Sequence, residues 1–282
     1  MDKLFSHIEY DSNHGMDLGI WPRFYLQIQD LAEFSSKSFD SNGLYEKEVI
    51  SGIKNLYDIH FLIQNLIQDY STGLKDGRYY YKTSQGMHAI QTHQEREISN
   101  KIEDFLSRGK VLLIRLGDCG IIDKSDFNIT DFVKVNDSNF EKAKDKYLLK
   151  TDKRYLPIIN LINKSRNSFL NEFKYLREEA QHEFFKLDRF KIQTVNDQIV
   201  VEEPIFKGLP LSTKISFYYE NILDFIEKVL VYYFGINGEL HLKGFAYLEF
   251  NPDYNYSKQH YKYTFALGGS SWSENAERCT YD

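Results

Sequence analysis

The sequence predicts a mainly α fold, an antiparallel helical bundle carrying one or two small β-hairpins. Three observations lead there. Apolar residues recur at three- and four-residue spacing over four long stretches, two shorter stretches alternate at period two, and Gly- or Pro-containing turns separate them. One domain over residues 1–282 is expected, with 40–235 as its helical core and 236–282 as a β-hairpin and polar tail.

The first forty residues mix Gly, Asp, Asn and Ser with apolar clusters and read as an irregular entry segment. From Leu44 to Tyr70, the residues Val49, Ile53, Leu56, Ile59, Ile63, Leu66 and Ile67 keep the period of an amphipathic helix. Thr72-Gly73 and Asp76-Gly77 punctuate it. A second helix is expected from Met87 to Arg108, with Ile90, Ile98, Ile102, Phe105 and Leu106 on one side. The run VLLIRL from Val111 fits strand or helix, and Gly117 and Gly120 close it.

A polar stretch, Asp123 to Asn139, reads as a linker or insertion. Helix then resumes over about 138–150 and 154–185, the second with Pro157 in its first turn, where a missing N–H costs nothing. After Asp188 the period falls to two in FKIQTV and QIVVEE, either side of Asn196-Asp197, which is a hairpin pattern. Pro204, Gly208 and Pro210 make a loop. Ser212 or Thr213 caps a last helix through Phe234, which Gly235 and Gly238 are expected to end. ELHLKGFAYLEF and KQHYKYTFAL alternate enough for a terminal hairpin before a polar end.

Composition excludes several classes. No run approaches the roughly 18 uncharged apolar residues of a membrane-spanning helix. The opening MDKLFSHIEYDSNHG lacks the basic and apolar regions of a signal peptide, and Cys119 and Cys279 make neither a metal-like spacing nor a disulfide framework. A reducing cytoplasm is the expected setting. Net charge is −6, which argues against indiscriminate coating of nucleic acid, yet Lys142 to Lys191 holds 13 Lys and Arg against 7 Asp and Glu. That basic segment in an acidic chain is a candidate phosphate-facing surface.

There is no P-loop, no G-x-G-x-x-G after a strand, no G-x-S-x-G and no H-E-x-x-H. GGSSW at Gly268–Trp272 reads as polar tail. His88 and His93 sit five apart, about 140° around a helix, so they share no face and hold no metal together. His60, among apolar residues, reads as a hydrogen-bonded core histidine. No metal and no cofactor are expected.

The remaining constellation is NKSRNSFLNEFKYLREEAQHEFFKL, Asn163 to Leu187. It places Arg177 and His182 in R-x-x-x-x-H near the end of a long helix, beside the apolar Leu176, Ala180 and Phe184. A short strand pair, a P-x-x-x-G loop (Pro204 to Gly208) and a final helix follow. Over roughly 150–235 this order resembles the HEPN superfamily, whose small helical bundles carry an arginine and a histidine four to six residues apart. The resemblance implies a metal-independent endoribonuclease, a toxin or defence effector, with the motif meeting its copy at a homodimer interface. It implies a general acid or base in His182 and a phosphate grip in Arg177. RNA is the implied substrate and a protein antitoxin a possible partner. The alternative it leaves is a non-catalytic HEPN-like module binding RNA, a nucleotide or a protein. Family members often place Asn, Asp or His after the arginine. Here Glu178 and Glu179 follow it and Glu183 follows the histidine, so Lys174, Lys186 and Arg189 are expected to offset their charge and bind substrate.

Overall fold

The computed structural model describes residues 20–40, 42–82, 88–133, 136–182, 186–195, 198–243, 245–252, 262–267 and 276–281. It is mainly helical with small antiparallel strand pairs. In chain order the helices are α1 (Gln27–Phe34), α2 (Ser51–Lys75), α3 (His93–Asp118), α4 (Thr130–Val133), α5 (Asp137–Leu148), α6 (Leu156–Ser165), α7 (Asn171–Gln181) and α8 (Leu211–His241). π-helical turns at Pro22–Leu26, Tyr45–Ile50 and Arg166–Leu170 lead into α1, α2 and α7. β1 (Tyr80–Lys82) pairs with β2 (His88–Ile90), β3 (Lys191–Val195) with β4 (Gln198–Glu202), and β5 (Ile205–Phe206) with β6 (Leu209–Pro210). β7 (Ala246–Phe250) lies between β8 (Tyr263–Leu267) and β9 (Glu277–Arg278).

Among the described residues, backbone contacts separate two compact units: one drawn from Asn42–Val229, the other from Met1–Ser41 with Leu230–Tyr281. In the larger unit the apolar stripe of α2 (Ile53, Leu56, Ile59, Ile63, Ile67) is buried against α3, which contributes Ile98, Ile102, Phe105 and Leu106. α7 packs on α3 through Phe173, whose ring meets Phe105 edge-on at 6.2 Å. The first half of α8 adds Tyr218, 5.4 Å from the Phe173 ring, and Ile222. Burial of such rings and branched side chains is worth about 1.5–3 kcal/mol each before chain entropy is subtracted. Gly109 of α3 makes the approach possible, since a Cβ there would stand 2.6 Å from Phe173 Cζ and 3.2 Å from Ile222 Cδ1.

Several expected boundaries move. The second helix begins at His93, not Met87, because residues 88–90 pair with 80–82 as a hairpin. It then runs through VLLIRL to Asp118, resolving that run as helix. The expected linker at 123–139 is packed, with Phe127, Ile129 and Phe132 buried and α4 inside it. Asn136 caps α5 by accepting from the Asn139 amide at 2.9 Å. The hairpin after Asp188 forms as expected, although Asn196-Asp197 lies outside the described residues, as do 183–185 at the end of the expected 154–185 helix.

The smaller unit corrects the reading of the entry segment, where residues 20–34 are helical and Trp21, Phe24, Ile28 and Leu31 are buried. Gln27, also buried, uses its amide oxygen as a strand would, accepting from the Lys262 and Tyr263 amides at 2.7 and 2.9 Å. α8 does not stop at Gly235 or Gly238 but continues to His241. Both glycines are seats: a Cβ on Gly238 would lie 2.2 Å from Phe265 Cζ, and one on Gly235 would lie 2.8 Å from Leu248 Cδ2. The terminal hairpin therefore starts at Ala246 rather than in ELHL, and the polar end supplies β9. GGSSW lies outside the described residues.

Among the described residues no helix is long and apolar enough to cross a membrane, and no three His, Cys, Asp or Glu side chains cluster to hold a metal ion.

Candidate functional site

α7 is short and amphipathic, with Phe173 and Leu176 buried and its remaining faces polar. That anchoring sets the direction of every other side chain on it. Lys174 and Arg177, one turn apart, are both half-buried. The buried Nε of Arg177 has no hydrogen-bond partner among the described residues. A buried donor left in that state costs about 1–3 kcal/mol, so a structure keeps one at a definite expense.

A third cation completes the group. Burial holds the Lys110 ammonium of α3 below the usual lysine range, and the charges of Arg177 and Lys174 push the same way, while Glu178 pulls it back up. Lys110, Lys174 and Arg177 therefore share one local field, in which Glu178 acts on Lys110 and the Asp137 carboxylate on Lys174. Neither lysine has a hydrogen-bond or ion-pair acceptor among the described residues.

The other carboxylates of α7 face elsewhere. Glu179 lies 3.8 Å from Lys207 Nζ and bonds the Tyr175 hydroxyl, which raises the Tyr175 pKa. Glu172 accepts from the buried Lys214 at 2.6 Å and from the Tyr218 hydroxyl. Burial alone would raise the Glu172 pKa, but those two hydrogen bonds outweigh it and hold the carboxyl below its usual range. Lys214 also lies 4.8 Å over each of the Phe217 and Tyr218 rings, so this cluster is fully used in joining α7 to α8. Glu183 is outside the described residues.

His182 is exposed and closes α7, its amide donating to the Glu178 and Glu179 carbonyls at 3.3 and 3.2 Å. Its imidazole makes no hydrogen bond among the described residues. Five residues separate it from Arg177, about 140° around a helix, so within one chain the two side chains leave α7 on different sides.

Of the three residues expected to bind substrate, Lys174 stands beside Arg177, and Lys186 is exposed and, among the described residues, makes no hydrogen bond or ion pair with either. Arg189 belongs to a different neighbourhood. Its charge acts on Tyr70, whose hydroxyl donates to Glu95, and the adjacent Phe190 amide donates to Glu95 as well. Glu95 and Lys110 are fifteen residues apart on α3, about 22 Å along its axis. Arg189 and Lys174 thus serve opposite ends of that helix.

Lys110 is the residue that sequence reasoning passed over. With the second helix ended at Arg108, it fell outside any face. Carrying the α3 period through VLLIRL, in step with Phe105, Leu112 and Leu116, would have placed it on the helix.

Known family models, curated proteins and solved structures include none that matches this chain.

Proposed function

We propose that the protein acts on RNA as a cytoplasmic, metal-independent endoribonuclease of the HEPN kind, a toxin or defence effector. The observation that supports it is the half-buried Arg177 guanidinium with the charges of Lys110 and Lys174 beside it. A guanidinium flanked by two ammonium groups suits a phosphodiester oxygen. In this reading Arg177 holds the scissile phosphate and His182 moves the proton. As the 2′-oxygen bonds to phosphorus, His182 takes the 2′-hydroxyl proton. The P–O5′ bond breaks, and the departing oxygen takes a proton from a water, to which the protonated His182 then gives up its own. The products are a 2′,3′-cyclic phosphate and a 5′-hydroxyl.

One observation favours a binding-only reading instead. Among the described residues no hydrogen bond joins His182 to Arg177, and the cations alone suffice for a module that holds RNA without cutting it.

Single-stranded RNA incubated with the protein in EDTA separates the two. The ribonuclease reading expects cleavage ending in a 2′,3′-cyclic phosphate, and resistance of DNA and of 2′-O-methyl RNA. Arg177→Ala should slow cutting ~10²–10³-fold, as for loss of one preorganised donor. His182→Ala should slow it ~10²–10⁴-fold. Expression of the wild type should arrest growth, and His182→Ala should relieve the arrest. RNA binding that needs Arg177 but never yields cleavage would leave the binding module. Cutting that survives both changes would remove the site.

A further inference from the structure

α3, α4, α7 and the turn before it enclose a cleft of about 290 Å³, which Arg177 does not line. Its floor is apolar, formed by Leu113, Leu170 and Phe173, and Val133 of α4 closes one side. Lys110 and Lys174 stand on its lining, so the cleft opens onto the cationic group described above. The volume sits at the small end of pockets that take one organic molecule, enough for a base and part of its sugar.

The chemistry of the walls narrows the occupant. A bare inorganic anion gains nothing from Leu113, Leu170 and Phe173, and an apolar molecule gains nothing from two ammonium groups that have no acceptor. A planar, largely apolar body attached to a phosphate satisfies both halves. Arg166 lines the cleft too, but it is committed: it is 5% exposed, donates to Asp137 and to the Phe132 carbonyl, and stacks over Phe140 at 4.8 Å. It builds the wall and leaves the phosphate to Lys110 and Lys174. Asn171 adds selectivity. Its amide nitrogen is 3.3 Å from Asp137 Oδ1, which leaves the amide oxygen as an acceptor for an amino or ring N–H of a base.

We propose that this cleft is a nucleotide subsite, in which one splayed-out base rests on Leu113, Leu170 and Phe173 and its phosphate on Lys110 and Lys174. The proposal rests on the RNA reading and deepens it: the substrate is single-stranded RNA, because a base in a duplex cannot leave its stack to enter a pocket of this size without unpairing.

Calorimetry with AMP, adenosine and inorganic phosphate tests the subsite separately from RNA cutting. AMP should bind at least about tenfold more tightly than inorganic phosphate, since only AMP fills the apolar floor. Val133→Phe, which fills the cleft, should weaken AMP about tenfold or more. Lys110→Glu, at a half-buried position, should weaken AMP by a similar factor and leave adenosine unchanged. It keeps the test alive should the first variant fold poorly, which a thermal melt reveals. Phosphate binding as tight as AMP, or AMP binding unchanged by both variants, overturns the subsite. If Arg177→Ala abolishes RNA binding while Val133→Phe leaves it intact, the subsite falls and the RNA reading stands. If AMP binds as stated but RNA is neither bound nor cut, the RNA reading falls and the cleft remains a site for a free nucleotide.

Discussion

His60 shows how a single side chain records its surroundings. Its ring stacks on Tyr219 at 4.5 Å and 4°, and its Nε2 lies 3.0 Å from Ser216 Oγ, with Gln64 bridging to the same hydroxyl. Burial pushes its pKa down to about 4. The reading of it as a hydrogen-bonded core histidine holds for the hydrogen bonds but not for the depth, since the residue is half-buried beside the stripe of α2. In the unfolded chain the ring titrates near 6.5, so between about pH 6.5 and 4 the unfolded state binds the extra proton. Stability present above pH 6.5 is therefore lost as pH falls through about 4. The loss attributable to this ring is about 1–2 kcal/mol once its partial exposure to solvent is discounted. Urea midpoints measured from pH 7.5 to 4 should decline less for His60→Gln than for the wild type, and identical slopes would show that His60 is not the titrating group. Arg177 and His182 were visible in the sequence as residue types at a spacing. The vacancy at Arg177 Nε was not, because it depends on which side chains α3 brings against α7.

At the scale of elements, the glycines mark where local pattern stops being informative. Gly77 and Gly208 do end elements, and both have positive φ, 73° and 86°. The pattern cannot distinguish them from Gly109 or Gly238, which lie inside helices because another ring occupies the space of a side chain. Helix propensity favours Gly→Ala by about 1 kcal/mol at such sites. Packing opposes it here, since the Phe173 ring facing Gly109 is 1% exposed and has nowhere to move. Overpacking of that kind costs about 1–3 kcal/mol. Gly109→Ala should therefore lower the thermal midpoint despite the better helix former, and a raised midpoint would mean that α3 and α7 are less closely seated than the contacts imply. The same logic explains the shifted start of α3. Residues 87–92 continue the helical period in sequence, yet Gln91 donates its amide to the Tyr79 carbonyl and the backbone at 88–90 pairs with 80–82. A partner several residues upstream decides the matter, and periodicity within a window does not see it.

At the scale of the molecule, the joining of the chain's start with its end into one compact unit was illegible for the same reason, since it depends on pairs such as Gln27 with Lys262 and Tyr263. The proposed function poses the converse problem: the motif lies on one short helix of the larger unit, and in that reading one copy does not complete it. Arg177 and His182 leave α7 about 140° apart, so a phosphate gripped by one arginine is best served by the histidine of a second copy across a twofold axis. Light scattering at micromolar concentration should then report a dimer. Mixing settles whether that dimer builds the site. Arg177→Ala retains His182, and His182→Ala retains Arg177, yet each alone should cut at least about 10²-fold more slowly than the wild type. After subunit exchange about half of the dimers are mixed, and each mixed dimer holds one composite site with both groups native. Cleavage should return to about a quarter of the wild-type rate. Exchange verified by differential tagging but without recovered cleavage would mean that both groups act within one chain or that the pair is structural. A monomer in solution would remove the composite site altogether, and the cleft beside Lys110 would be left to bind its nucleotide alone.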